Sequence, residues 1–153
     1  MILKYSMKNS LAVIFWLACL AACKPEMKPI AYGEDKCEFC RMSIVDNQFG
    51  CEVVTQKGKA FKFDAVECMV NYLEQRVEDE TKIKLLLTNT YDSPGSMIDA
   101  KNCSYLISKN MPSPMGMYLN PFSESSEAIK YQKENSGTIY NWDELRTEFK
   151  TMN

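Results

Sequence analysis

The fold is decided by residues 49–73, FGCEVVTQKGKAFKFDAVECMVNYL. Residues 49–55 are rich in apolar and β-branched side chains, which predicts a strand, and the Gly-containing stretch 56–59 predicts a turn. Residues 60–63 return as a second strand, so the two strands should form a hairpin.

The helix that follows the hairpin is marked by a single apolar face. The residues of this face recur at helical spacing, and they are Val66, Met69, Val70, Leu73 and Val77. Asp64 lies where an N-cap is expected, and Glu67 follows three residues later, which is the pattern of a capping box. Because residues 83–88 predict a further strand, the first unit has the order β-β-α-β.

The second half of the chain repeats this order of elements without similarity at the level of residues. The predicted elements are a loop over 91–96, the start of a strand at 97–99, strands over 103–108 and 118–119, a helix capped by Ser123 that runs to about Lys133, and a strand over 137–140. Asn141 is expected to cap a last helix, with Glu144 at the capping-box position. We therefore expect an α+β fold of two similar small β-β-α-β units packed together, about 37–90 and 91–153, with an extra C-terminal helix.

The beginning of the chain has the pattern of a bacterial lipoprotein signal. A short basic head precedes the apolar residues 11–20, and Leu20-Ala21-Ala22-Cys23 then resembles a lipobox. This pattern predicts a signal peptide over residues 1–22, a lipid on Cys23 and a lipidated tether over 23–36. The domain would then lie on the periplasmic side of an inner or outer membrane. An ordinary signal peptide with an incidental Cys is the alternative.

Composition excludes several functional classes. The chain of 153 residues has a formal net charge of −2, and removal of residues 1–22, which hold two Lys and no acidic residue, leaves −4. This charge gives no reason to expect nucleic acid or an anionic membrane surface as a partner. The sequence contains no His base, no Ser or Cys triad and no phosphate-binding loop, so we do not expect an enzyme.

Three sulfur atoms lie within six residues in Cys37-Glu38-Phe39-Cys40-Arg41-Met42, which we call the sulfur turn. Two thiols at C-x-x-C spacing can bind one ion from a single turn, and Met42 adds a thioether. A second sulfur-rich stretch, residues 111–117 (MPSPMGM), is called the methionine loop. Thiolate and thioether ligands suit a soft metal, above all Cu(I), and the absence of His disfavours zinc and Cu(II).

Two alternatives to a soft-metal site remain open for Cys37 and Cys40. They could form a disulfide or a redox dithiol, although the motif precedes the first strand instead of opening a helix, as a thioredoxin-like motif does. They could also belong to a zinc knuckle, but such a site needs about four ligands, usually in two pairs. The remaining cysteines are scattered singly, and the five left after Cys23 are an odd number for a pure disulfide framework.

Other residues near these stretches are candidates for ligand or supporting roles. In the methionine loop Met115 and Met117 flank a glycine and are candidate ligands, and Met111 is a weaker candidate. Asp64 is expected to cap a helix, and it could also hydrogen-bond a ligand or reach the ion through water. Cys68 is expected to be a small buried residue more than a ligand, with a supporting position near the metal as the other reading.

Cys51 and Cys103 lie in predicted strands and are assigned to the core.

Four motifs occur in an order that resembles one known family. They are the lipobox, the C-x-x-C-x-M turn, residues 63–69 (FDAVECM) and residues 113–116 (SPMG). In this order they resemble the NosL family, the nitrous-oxide reductase accessory lipoproteins. The resemblance implies a fold of two similar β-β-α-β units, Cu(I) binding, and Met115 as a ligand. It also implies two partners, nitrous oxide reductase and its copper-loading membrane machinery. Because this chain has no His, it lacks the imidazole ligand ascribed to some relatives, and its ligands would be sulfur, carboxylate or water.

The sequence therefore predicts a periplasmic, membrane-anchored Cu(I) chaperone that delivers copper for nitrous oxide reductase maturation. The predicted ligands are Cys37, Cys40, Met42, Met115 and Met117. The alternative is a membrane-tethered thiol–disulfide oxidoreductase that uses Cys37 and Cys40.

Overall fold

The first half of the molecule is a four-stranded antiparallel sheet with one helix. The structure, a computed structural model, describes residues 25–152. The elements of this half are β1 (Cys51–Thr55), β2 (Ala60–Phe63), α1 (Val66–Arg76), β3 (Ile83–Thr90) and β4 (Ser93–Asp99). The strand order is β2-β1-β3-β4, and the predicted hairpin of β1 and β2 forms one edge.

The second half is a three-stranded antiparallel sheet with two helices. Its elements are β5 (Ser104–Ile107), β6 (Leu119–Phe122), α2 (Ser125–Asn135), β7 (Thr138–Tyr140) and α3 (Trp142–Met152). The strand order is β6-β5-β7. The predicted fold class, α+β with two β-β-α-β units and an extra C-terminal helix, is confirmed.

Strand β4 corrects the loop that the sequence predicts over residues 91–96. The strand begins at Ser93 and pairs with β3, so it extends the first sheet beyond the three strands of a β-β-α-β unit. Its sequence includes Pro94 and Gly95, residues that are depleted in strands. They are tolerated because β4 lies at the edge of the sheet, where one row of backbone groups needs no partner strand.

The predicted caps of the first two helices are wrong, and the third is confirmed. The N-cap of α1 is Ala65 and not Asp64, and it makes no side-chain cap bond. The N-cap of α2 is Glu124, because Ser123 is used elsewhere and bonds the carboxylate of Asp92. Asn141 does form the expected capping box before α3. Its Oδ1 accepts from the Glu144 N–H at 2.9 Å, and the Glu144 carboxylate accepts from the Asn141 N–H at 2.9 Å.

The predicted tether over residues 23–36 is attached to the domain from Lys28 onward. The Lys28 N–H donates to both carboxylate oxygens of Glu52, at 2.9 and 3.1 Å. The Lys62 ammonium donates to the Pro29 carbonyl at 2.7 Å and lies 2.6 Å from the Asp35 carboxylate. Glu52 is buried in β1, so its carboxylate needs partners, and the incoming chain supplies one of them. The predicted signal peptide and Cys23 lie outside the described residues.

The two halves share one hydrophobic core. One face of α3 carries Trp142, Leu145 and Phe149 into the same cluster that contains the buried face of α1. On the surface of this contact the Arg146 guanidinium bonds the carboxylates of Glu74 on α1 and Glu80 beyond it. Within residues 25–152, none of the helices combines the length and apolarity needed to cross a bilayer.

Candidate metal centre

The sulfur turn is a closed hairpin loop. Lys36 and Ser43 pair as an antiparallel bridge at its base. Inside it the Cys37 N–H donates to the Met42 carbonyl at 2.8 Å, and the Arg41 N–H donates to the Cys37 carbonyl at 3.0 Å. Arg41 adopts a left-handed backbone conformation, with φ of 67°, which lets the chain reverse. These bonds fix the direction in which the two thiols of the turn point.

The sulfur turn is also fixed to the rest of the first unit. The Glu38 N–H donates to the Lys62 carbonyl on β2 at 2.8 Å. The Arg76 guanidinium, at the end of α1, donates to the Glu38 carbonyl at 3.1 Å and lies 4.9 Å from the centre of the Phe39 ring. Such a cation–π contact adds a modest stabilisation, about 0.5–1 kcal/mol where it is exposed. The turn is therefore held between β2 and α1.

This docking brings a third thiol to the sulfur turn. The Sγ atoms of Cys37, Cys40 and Cys68 all lie within 4.8 Å of one another. Cys37 and Cys68 are buried, whereas Cys40 is half-buried. All three are free thiols, as are the other cysteines of residues 25–152. Three sulfur atoms this close can bind a single ion together.

The three thiols differ in their readiness to ionise. The hydrogen bond from the Cys68 thiol, and then backbone N–H groups of Cys40, Asp64 and Phe39, lower the pKa of Cys37 to about 5 in spite of burial. The same bond to Cys37, together with burial, raises the pKa of Cys68. Burial raises the pKa of Cys40. The cluster therefore presents one thiolate and two thiols at neutral pH, and a thiolate is the form of sulfur that binds a metal.

The methionines of the predicted ligand set lie at different depths. Met42, in the sulfur turn, is 53% exposed. Met115 and Met117 are partly buried against the core cluster that includes Cys37 and Cys68. Met111 is buried in a separate cluster with Leu106, Phe122 and Ala128, which is consistent with its weaker candidacy. Ligation by Met42, Met115 and Met117 stays a prediction.

A hydrogen bond ties the methionine loop to α1. The Ser113 hydroxyl donates to the Glu67 carboxylate and accepts from the Leu119 N–H at 3.2 Å. Glu67 immediately precedes Cys68, so this bond brings the loop to the first turn of α1, where the third thiol lies. Glu67 is 1% exposed, and burial raises its pKa to about 7, although the bond from Ser113 opposes the shift.

Residues 30–149 match the family model named NosL. The chain belongs to the NosL family. The fold is similar to the crystal structure of the copper chaperone NosL from Shewanella denitrificans, with a TM-score of 0.67 and 19% sequence identity, over 78% of this chain and 96% of that one. At this identity the likeness shows the shared fold alone. No match was found among curated protein sequences.

In this NosL-family chain Asp64 lies beside the thiol cluster and does not cap α1. Its backbone N–H donates to the sulfur of Cys37, and its side chain is 3% exposed. Burial, and next the negative charge of Cys37, raise the pKa of Asp64. The Oδ1 atom has no hydrogen-bond partner among the described residues. A supporting role for Asp64 near a metal, one of the two roles expected for it, stays a prediction.

Glu67 is the residue beside the thiol cluster that sequence reasoning missed. The capping-box pattern assigns its carboxylate to a backbone N–H, whereas the structure buries it against the methionine loop. The signal that could have found it is the run Val66-Glu67-Cys68-Met69-Val70, because a carboxylate inside an apolar run must find a partner.

Cys51 and Cys103 belong to the core of this NosL-family fold, as predicted. The Cys51 thiol lies 3.0 Å from the Phe49 carbonyl and 3.2 Å from the Thr88 hydroxyl. The Cys103 thiol lies 3.6 Å from the Asp99 carbonyl, and burial raises its pKa to about 12. Neither belongs to the group of close ligand atoms that Cys37, Cys40 and Cys68 form within residues 25–152.

Proposed function

We propose that this NosL-family protein binds Cu(I) at the periplasmic face of a bacterial membrane and passes it to nitrous oxide reductase during maturation of that enzyme. One observation carries the metal-binding part: the Sγ atoms of Cys37, Cys40 and Cys68 lie within 4.8 Å of one another. Membership of the NosL family, and the fold shared with a protein described as a copper chaperone, support the delivery part.

The donor set favours Cu(I) over other metals. Soft thiolate and thioether ligands select Cu(I), whereas zinc in a structural site takes four ligands and commonly includes His. The chain has no His, and the described residues bring three thiols together. Methionine thioethers in the sulfur turn and in the methionine loop supply additional sulfur ligands. A thioether contributes to the binding of Cu(I) and hardly to that of zinc, so the methionines add selectivity as well as affinity.

The ligands range from buried to exposed, which suits transfer of the ion. Cys37 and Cys68 are buried, Cys40 is half-buried and Met42 is 53% exposed. Ligands of a recipient protein can therefore approach from the side of Cys40 and Met42, and they replace the donor's ligands one at a time. The ion changes ligands and no substrate bond is made or broken, so the role is that of a carrier and not of an enzyme.

The lipobox supports a position close to the membrane. Acyl chains on Cys23 would supply the two or more anchoring signals that stable attachment requires. The Lys28 N–H is bonded to Glu52 in the domain, so a lipid on Cys23 would lie five residues along the chain from this bond. A stretch of that length spans at most about 18 Å. The recipient would therefore collect copper within a short distance of the membrane surface.

A thiol–disulfide oxidoreductase is the second candidate, because three close thiols can also exchange a disulfide. Burial of Cys37 argues against it, since an attacking thiolate must reach the disulfide of a partner.

Copper transfer tests the proposed function directly. The reduced protein, loaded with Cu(I), is mixed anaerobically with copper-free nitrous oxide reductase, and the two are separated and assayed for copper. We expect copper on the reductase, faster than from a small-molecule chelator at equal free Cu(I). Copper that stays on the chaperone, or transfer no faster than from the chelator, would contradict delivery.

A further inference from the structure

The methionine loop is attached to the structure at two points. Its first residue, Met111, is buried in the second unit, and its carbonyl accepts from the Asn120 amide at 3.0 Å. Its middle is held to the first unit by the Ser113 hydroxyl, which donates to Glu67 on α1. Beyond Ser113 the loop turns tightly, with the Gly116 N–H donating to the Ser113 carbonyl at 3.0 Å. Met115 therefore lies inside a turn whose base is fixed by Ser113.

Burial of the Glu67 carboxylate in this position costs folding free energy. Its side chain is 1% exposed, and its Oε2 atom has no hydrogen-bond partner among the described residues. Burial of a carboxylate without full compensation costs several kcal/mol, and an apolar side chain here would extend the apolar face of α1. Stability alone therefore gives no reason for a carboxylate. What the carboxylate does make is the bond to Ser113, next to Cys68.

We propose that Glu67 is a positioning residue for the metal centre, which holds the methionine loop through Ser113 so that a loop thioether and the thiols of Cys37, Cys40 and Cys68 bind the same ion. This inference rests on the proposed function as a Cu(I) carrier. The two units contribute different parts of the site, the first unit its thiols and the second a thioether. The bond from Ser113 to Glu67 joins the two units beside the proposed metal centre.

The test uses the full-length chain in detergent, reduced and free of oxygen, with Cu(I) added from a chromophoric chelator. Methionine ε-methyl groups labelled with 13C report thioether ligation by NMR, and competition with the chelator gives the affinity. In the wild type we expect the methyl resonance of Met115 or Met117 to shift on addition of Cu(I). Ser113→Ala removes the hydroxyl, and we expect this shift to be lost and the affinity to fall tenfold or more, while the thiols still bind one ion.

Two variants and one control separate positioning from general structure. Glu67→Gln keeps a carbonyl oxygen that accepts from Ser113, so it should retain the methyl shift, whereas Glu67→Leu should lose it. If Glu67→Leu does not fold, Ser113→Ala still decides the question. Ser123→Ala is the matched control, because Ser123 donates to the carboxylate of Asp92 in the same way, between other elements. This control should bind Cu(I) like the wild type.

The outcomes distinguish this inference from the proposed function. Wild-type affinity and wild-type methyl shifts in Ser113→Ala would overturn the positioning role and leave Cu(I) binding intact. The absence of any methyl shift in the wild type would overturn it too, again without touching thiol ligation. A wild-type protein that binds no Cu(I) would remove the proposed function, and the positioning role with it.

Discussion

The Sγ atom of Cys68, on the first turn of α1, lies within 4.8 Å of the Sγ atom of Cys37 in the sulfur turn. This contact exists only when the sulfur turn is docked on α1, so the candidate metal site is a product of the tertiary fold. Metal binding to such a site also stabilises the folded state, because the unfolded chain does not hold the ligands together. The effects of substitutions in the cluster should therefore appear in Cu(I) affinity and in the stability of the loaded protein.

Cys68 should be as important for Cu(I) binding as Cys40. The Cys68→Ser variant loses one of three clustered sulfur donors, and we expect its Cu(I) affinity to fall tenfold or more in competition with a chromophoric chelator. The matched control is Cys103→Ser, which changes a buried thiol outside the cluster. Equal affinities of the Cys68→Ser and Cys103→Ser variants would show that Cys68 is not a ligand.

The methionine loop should contribute to the same ion as the thiols. Replacement of Met115 and Met117 by Leu keeps size and apolarity close to the native values, so we expect a loss of stability of only about 1 kcal/mol. The Cu(I) affinity should nevertheless fall tenfold or more, because leucine offers no sulfur. Met111→Leu is the control, since Met111 lies in the separate core cluster. If the double variant binds Cu(I) as tightly as the wild type, the centre consists of cysteines alone.

The stability of the metal-free protein should depend on pH through Glu67. Burial raises its pKa from 4.5 to about 7, so the folded protein holds this proton more tightly than the unfolded chain does. The stability that this residue contributes is complete below pH 4.5 and is lost as the pH rises through about 7. Relative to the wild type, Glu67→Gln should therefore gain stability over this range, by on the order of 3 kcal/mol, and then show no further change.

Urea denaturation of the two metal-free proteins between about pH 4 and pH 8 measures this difference. The comparison with the wild type at each pH cancels the opposite contribution of Cys37, whose lowered pKa stabilises the folded state as the pH rises. A difference in the free energy of unfolding that is constant over the whole range would mean that Glu67 titrates normally.

Attachment to the membrane should depend on Cys23 alone. The Cys23→Ala variant lacks the predicted lipid acceptor, so we expect it in the soluble fraction of the periplasm. We expect its domain to stay folded, because the predicted tether begins before the bonds that attach the chain to the domain from Lys28 onward. Fractionation of cells, with circular dichroism of the released protein, checks both points. Recovery of the variant with the membranes would contradict the lipoprotein assignment.

Local sequence patterns predicted the elements of this fold but not all of their ends. Strand-forming composition and the Gly-containing turn in residues 49–63 predict the hairpin, helical spacing predicts α1, and the Asn141–Glu144 capping box is confirmed. Asp64 was assigned as a cap from the same kind of pattern, but its backbone faces the sulfur of Cys37 and α1 begins later. The sequence predicts only the last residues of strand β4, at 97–99. Its first part is predicted as a loop because Pro94 and Gly95 are unfavourable in strands except at a sheet edge, and the sequence does not show which strand is the edge.

The candidate site was predicted in part for a similar reason. C-x-x-C spacing identifies Cys37 and Cys40 because the two ligands are close in the chain. Cys68 lies on a side of α1 away from its main apolar face. Such a side of a helix normally faces solvent, but Cys68 is buried because the sulfur turn docks there. Its position beside the other two thiols therefore depends on the tertiary structure, and no local sequence pattern predicts that position.

The central claim is that one Cu(I) ion binds to a centre built on Cys37, Cys40 and Cys68, in preference to Zn(II). Mass spectrometry of the reduced protein under native, oxygen-free conditions measures it most directly, with Cu(I) and Zn(II) offered together at equal free concentrations. We expect one copper per chain and no zinc in the wild type, and a loss of most of the bound copper when Cys37, Cys40 or Cys68 is changed to Ser. Equal or greater occupancy by zinc would contradict the account. Full copper occupancy in each of the three single Ser variants would contradict it too.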